Sequence, residues 1–126
     1  MSGAISNVKS VYYSAASLSA DEEVKVLKGP LWFLGGCISY AVDDTVASGV
    51  TYIDLWDWDG VGSNPPSASR LIRIAVAGSV SQPISSIEVP VGSYVKVDDD
   101  LYISSDDATT NSQIRATLFY TGGGPA

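Results

Sequence analysis

Asp54, Asp57 and Asp59 cluster around two tryptophans in the run Tyr52-Ile53-Asp54-Leu55-Trp56-Asp57-Trp58-Asp59-Gly60. Carboxylates at this density suggest two chemistries. Hard oxygens can gather a calcium ion. A carboxylate pair can act as acid and base in glycoside hydrolysis, with Asp54 and Asp57 the candidates by composition. No EF-hand frame fits: the first ligand position would fall on Leu55 and the bidentate twelfth on Pro66. A second acidic group, Asp98, Asp99, Asp100, Asp106 and Asp107, flanks one short run. Of these, Asp98, Asp100 and Asp106 are the candidate metal ligands for a calcium site at a sheet rim. A solvated acidic rim that blocks edge pairing explains the same residues without a metal and is the preferred reading, so no cofactor is expected.

The aromatics offer a binding chemistry instead. Trp32, Tyr52, Trp56, Trp58 and Phe119 are candidates for a platform that stacks on sugars or anchors a protein partner. Trp32 lies in the most apolar run of the chain and is expected in the core. Trp56 and Trp58 alternate with aspartates, which places them on an outward, polar face, as a ligand platform or a protein interface. The interface is the favoured of the two. The residues expected to make contacts are Asp54, Trp56, Trp58 and Arg115, together with the N-terminal arm.

Much other chemistry is missing. The 126 residues include no histidine, the commonest general base and a usual zinc ligand. Cys37 is the single cysteine, so no intrachain disulfide forms; its apolar surroundings read as a small buried thiol. The net charge of −7 argues against nucleic acid, whose phosphates need clustered Lys and Arg, and against anionic membrane surfaces. No run reaches the roughly 18 apolar residues that span a bilayer. The first residues lack the basic start and apolar centre of a secretory signal, so synthesis in a cytoplasm is expected. No reaction motif appears, and no enzymatic activity is expected.

Strands must position these residues. Val50–Asp57 and Arg70–Gly78 alternate with period two: Ile53 and Leu55 oppose Tyr52, Asp54 and Trp56, while Ile72, Ile74 and Val76 oppose Arg73 and Ala75. The stretch between them is rich in Gly, Asn, Asp and Pro, which predicts a hairpin with a decorated loop. Further strands are expected near Val8–Ala15, Val24–Lys28, Leu31–Val42, Ile84–Val89, Tyr94–Val97, Leu101–Ile103 and Ser112–Tyr120. Gly29-Pro30 should break the second of these from the third. Gly35-Gly36 should mark a bulge or a close backbone approach. In the last strand Ile114, Ala116, Leu118 and Tyr120 share a face. Hydrophobic content of 45% and this length suit one core. The expectation is an all-β, single-domain β-sandwich, jelly-roll-like, with eight or nine short antiparallel strands. Residues 1–7 would form an extended arm and residues 121–126 a flexible glycine-rich tail.

The order of these pieces resembles small bacteriophage virion proteins. A Gly-rich apolar strand, Gly29-Pro30-Leu31-Trp32-Phe33-Leu34-Gly35-Gly36, comes first. Ile53-Asp54-Leu55-Trp56-Asp57, Leu71-Ile72-Arg73-Ile74, Asp100-Leu101-Tyr102-Ile103-Ser104 and Ala116-Thr117-Leu118-Phe119-Tyr120 follow. The likeness runs from about Val24 to Tyr120. It departs in the longer loop at Trp58–Ser69 and in Asp100, where a glycine is usual. The resemblance implies a non-enzymatic decoration or cement protein of the capsid, a homotrimer on the major capsid protein, located in the virion. The alternative is a carbohydrate-binding or receptor-recognising module of a fibre or tail.

Overall fold

The computed structural model describes residues 7–15, 22–42, 50–77, 82–87, 94–105 and 112–126. Its strands are β1 (Lys9–Ala15), β2 (Glu22–Val42), β3 (Val50–Trp58), β4 (Arg70–Ala77), β5 (Gln82–Ile87), β6 (Val95–Val97), β7 (Asp100–Ser105) and β8 (Ser112–Pro125). Among the described residues the helical content is a single 3-10 turn, Ser67–Ser69. The turns expected near 16–20, 43–49, 78–81 and 90–92, the inward Val89, the first six residues of the arm, and Asp106 and Asp107 lie outside the described residues.

All pairings are antiparallel, in the order β1-β8-β2-β7-β3-β4, with β5 and β6 also on β2. The all-β class expected from the sequence is the one observed. The long strand β2 joins the two halves of the sheet. Its first part, Glu22–Lys28, pairs with β7, which continues to β3 and β4. Its second part, from Leu31, pairs with β8 on one edge and with β6 and β5 on the other. Gly29-Pro30 was expected to end a strand here. The chain instead bends and carries on, and the ladder to β8 skips a step between Lys28 and Leu31. Proline has no N–H to give the ladder, and a corner that moves a strand from one layer to the other tolerates that loss.

The two layers close on one core. Val26, Leu27, Leu31, Phe33, Ile38, Ile53, Leu55, Val97, Leu101, Ile103, Ala116, Leu118 and Tyr120 form a single buried cluster drawn from both halves of the sheet. Alternation supplies them: Ile53 and Leu55 on β3, Leu101 and Ile103 on β7, and Ala116, Leu118 and Tyr120 on β8 all turn inward. Burying each large apolar side chain is worth about 1.5–3 kcal/mol, which makes this cluster the main source of stability.

Two glycine positions mark close backbone approach. Gly35 has φ 112° where the β2–β8 register slips, the expected bulge. At Gly36 a Cβ would stand 2.2 Å from the Thr117 carbonyl oxygen. The C-terminal residues are not a flexible tail. Thr121, Gly122, Gly124 and Pro125 pair with Trp32, Leu31, Lys28 and Leu27, so β8 follows β2 around the corner. A Cβ on Gly123 would stand 2.4 Å from the Lys28 carbonyl oxygen, and its φ of 60° suits glycine. The glycines there serve a tight fit.

Candidate functional site

The β3–β4 hairpin forms as expected, with Asp54 directly opposite Arg73. Asp54 is buried, and its two oxygens accept from Arg73 Nε at 2.8 Å and Nη2 at 3.1 Å. Arg70 Nε approaches the same carboxylate to 3.4 Å, an ion-pair contact; this shielded nitrogen makes no hydrogen bond among the described residues. The guanidinium of Arg73 lies 4.2 Å from the Tyr52 ring and that of Arg70 4.9 Å from the Trp56 ring. Aromatic and guanidinium groups thus alternate around one carboxylate along the outer face of the hairpin.

Trp56 and Trp58 lie on that outer face, as alternation implies, yet each is only 8% exposed. Trp56 Nε1 donates to Ser104 Oγ at 2.8 Å. Trp58 packs on Tyr102, ring centres 4.9 Å apart, and donates to the Val61 carbonyl at 3.2 Å. The loop after Trp58 closes over this pair. Gly60, at φ 81°, sits so close that a Cβ would be 2.7 Å from the Tyr102 hydroxyl, and Asp59 accepts from the Val61 N–H at 2.9 Å to hold the turn. The expected platform of Asp54, Trp56 and Trp58 is therefore covered by its own loop and arginines. Sequence alternation gives the face; it does not show that the loop folds back.

The aspartates at the rim are also engaged. Asp57 accepts from the N–H groups of Asp98 and Asp99, at 3.0 and 2.9 Å. Asp100 accepts from the Gly29 N–H at 2.9 Å and pairs with Lys25 at 3.3 Å, fastening the bend of β2. A cleft of about 270 Å³ lies between Asp57, Asp59, Asp99, Trp58, Val61 and Pro66. Asp99 is pushed above the ordinary aspartate range by partial loss of hydration, then by the charges of Asp57, Asp59, Asp100 and Asp98. Asp54 lies outside this cleft, locked by its arginines, so the carboxylates proposed as a hydrolytic pair are not brought together. Among the described residues no group of three or more Asp, Glu, Cys or His side chains is arranged to hold a metal. Asp98 is exposed at the rim, and Asp106 lies outside the described residues.

The open surface is on the other layer. Tyr12 on β1, Trp32 on β2 and Phe119 on β8 are 62%, 44% and 41% exposed. The core expectation for Trp32 fails for a simple reason. Leu31 and Phe33 turn inward, so the residue between them must turn out, however apolar the run. Lys96 on β6, paired in register with Trp32, holds its ammonium 5.1 Å from the ring centre. Arg115 is exposed on β8 one pleat beyond Thr117, the partner of Tyr12. Cys37 is free and half-buried, where a small buried thiol is expected from its apolar surroundings. Strict alternation around the buried Leu118 and Tyr120 was the signal for this face; overall hydropathy obscured it.

No protein-family model matches the chain, and no curated protein does. Among solved structures, a chain from the Bacillus endospore appendages, described as a novel family of disulfide-linked pili, aligns over 91% of this chain and 88% of its own length. The identity is 13% and the TM-score 0.48. A likeness at that level assigns this chain neither a family nor a function.

Proposed function

We propose that the chain is a non-enzymatic structural protein that works by protein–protein contact through the outer face of the β1–β8–β2 layer. One observation carries this reading: Tyr12, Trp32 and Phe119 stand exposed together on that face, while the aromatics of the opposite layer are covered by the chain's own loop. Exposed aromatics on a paired sheet are costly to leave in water and suit a protein partner. The resemblance in strand order to small phage virion proteins supports a virion setting, as a decoration protein on the capsid shell, arranged as a homotrimer.

The test is co-sedimentation with purified particles. Trp32→Ala and Phe119→Ala remove exposed side chains and should leave the circular dichroism spectrum unchanged. The expected result is that wild-type protein travels with particles at a fixed ratio to the shell protein and that the double variant does not. A double variant that still occupies the particles in full overturns the assignment.

A second reading is favoured by the exposed indole of Trp32 beside Lys96, a geometry that also suits stacking on a sugar ring. Trp56 and Trp58 are buried, so a change in tryptophan fluorescence on glycan titration would report Trp32. A flat response across a broad glycan panel removes that reading.

A further inference from the structure

Charge is unevenly divided between the two layers. The chain has 14 Asp and Glu against 7 Lys and Arg. Yet β1, β5, β6, β8 and the part of β2 from Leu31 onward contain no acidic residue, and Lys96 and Arg115 share the face of Trp32 and Phe119, whereas Lys9, in register with Tyr120, lies on the other side. The rim of Asp57, Asp59, Asp98 and Asp99 lies where β6 passes to β7 and where β3 ends, and its charges already oppose one another. The aromatic face is thus cationic on a strongly anionic protein, and its complement is present on the same molecule.

One copy cannot join the two. Arg115 registers on β2 at Ser39, whereas Asp100, next to the rim, registers at Lys28. That separation is up to about 36 Å of strand at about 3.3 Å per residue. A two-fold pairing of one aromatic face on another is also disfavoured, since it sets cations against cations with no carboxylate on those strands. We propose that the Tyr12, Phe119 and Arg115 end of this face takes the acidic rim of a second copy, in a head-to-tail contact. The proposal rests on reading the face as a protein-docking surface and names its partner. Head-to-tail contacts close into rings when the rotation allows, and a ring of three would be the trimer proposed above.

Light scattering and sedimentation of the purified protein test this. The expected result is association that grows with concentration, either to a discrete trimer or to a longer ladder. It should weaken as sodium chloride rises from about 0.1 M to about 1 M, where the screening length falls from about 10 Å to about 3 Å. Arg115→Glu, and separately Asp98→Lys with Asp99→Lys, should each lower the association constant about tenfold or more, because like charges then meet. Mixing the two variants should restore association in alternating open chains or even-numbered rings, since each supplies what the other lacks. A wild-type protein that stays monomeric, one that stops at a dimer, or association indifferent to both salt and charge reversal overturns the proposal. Monomeric protein whose binding to particles still needs Trp32 overturns the self-contact and leaves the docking reading standing.

Discussion

Asp54→Asn tests the clamp on the hairpin. The substitution keeps the side-chain volume and removes the charge that two arginines share. At the 2.8 Å and 3.4 Å contacts of Asp54 with Arg73 and Arg70, each ion pair has a Coulomb energy of about 5–6 kcal/mol at an effective dielectric of about 20. The burial of the carboxylate offsets several kcal/mol of that. Removing one partner of a buried pair costs about 3–5 kcal/mol, but both guanidiniums here are about a third exposed and recover some hydration. The expected loss is about 2–3 kcal/mol. In urea, with a slope of about 1.5 kcal/mol per M, the midpoint should fall by about 1.3–2 M at constant slope. The assay is a double-mutant cycle with Arg73→Gln, followed by circular dichroism in urea. A coupling below about 0.5 kcal/mol would refute the reasoning, because the pair would then behave as a solvated surface contact.

Other expectations follow from single contacts. Gly36→Ala forces a Cβ into the Thr117 carbonyl and should cost about 2–4 kcal/mol. Gly62→Ala, at φ 91° in open space, should cost only about 1 kcal/mol, and equal losses at the two sites in urea titrations would refute the close-approach argument. Trp56→Phe leaves the buried Ser104 hydroxyl without its indole donor and should cost about 1–2 kcal/mol; an unchanged melting profile would show that another group replaces it. Asp99 holds its proton to higher pH when folded than when unfolded, so its charge disfavours the folded state above the folded pKa. That penalty fades as the pH falls through this value. Asp99→Asn should therefore raise the melting temperature at neutral pH, with the gain vanishing below the ordinary aspartate range. A gain independent of pH would contradict the electrostatic account.

Period-two alternation carried the fold class and the β3–β4 hairpin, because a strand with one buried face must place its apolar residues at every second position. It failed where a second decision sat on top of the first. Trp32 looked like core from the hydropathy of its neighbours, although strict alternation between Leu31 and Phe33 sends it outward. Trp56 and Trp58 were placed on the correct face. Nothing in their own spacing reveals that residues 59–61 would fold back and cover Trp58. Pro30 read as a stop because a proline removes a ladder bond. Whether the chain ends there or turns a corner depends on Asp100, seventy positions away, which accepts from the Gly29 N–H. The closing glycines read as a tail for the same reason: their use, close approach to Lys28, belongs to a partner strand far along the chain.

The two outer faces were given opposite treatments by one chain, and that difference bears on function. On the β3–β7 layer, indole and phenol groups are packed together, given acceptors or donors, and roofed by a loop and two arginines. On the β1–β8–β2 layer, residues of the same kinds are left to solvent with a lysine ammonium over the Trp32 ring. Sequences that can bury an aromatic within their own fold gain stability by doing so, so an uncovered group of three is better explained by a partner than by neglect. The aspartates fit the same division. Asp54, Asp57 and Asp100 each hold backbone or arginine groups of their own chain, and a carboxylate locked in that way is poorly placed to move a proton or release a product. The chemistry-bearing residues of the hairpin thus build the scaffold, and the exposed aromatics include Trp32, the one whose neighbours looked most like core.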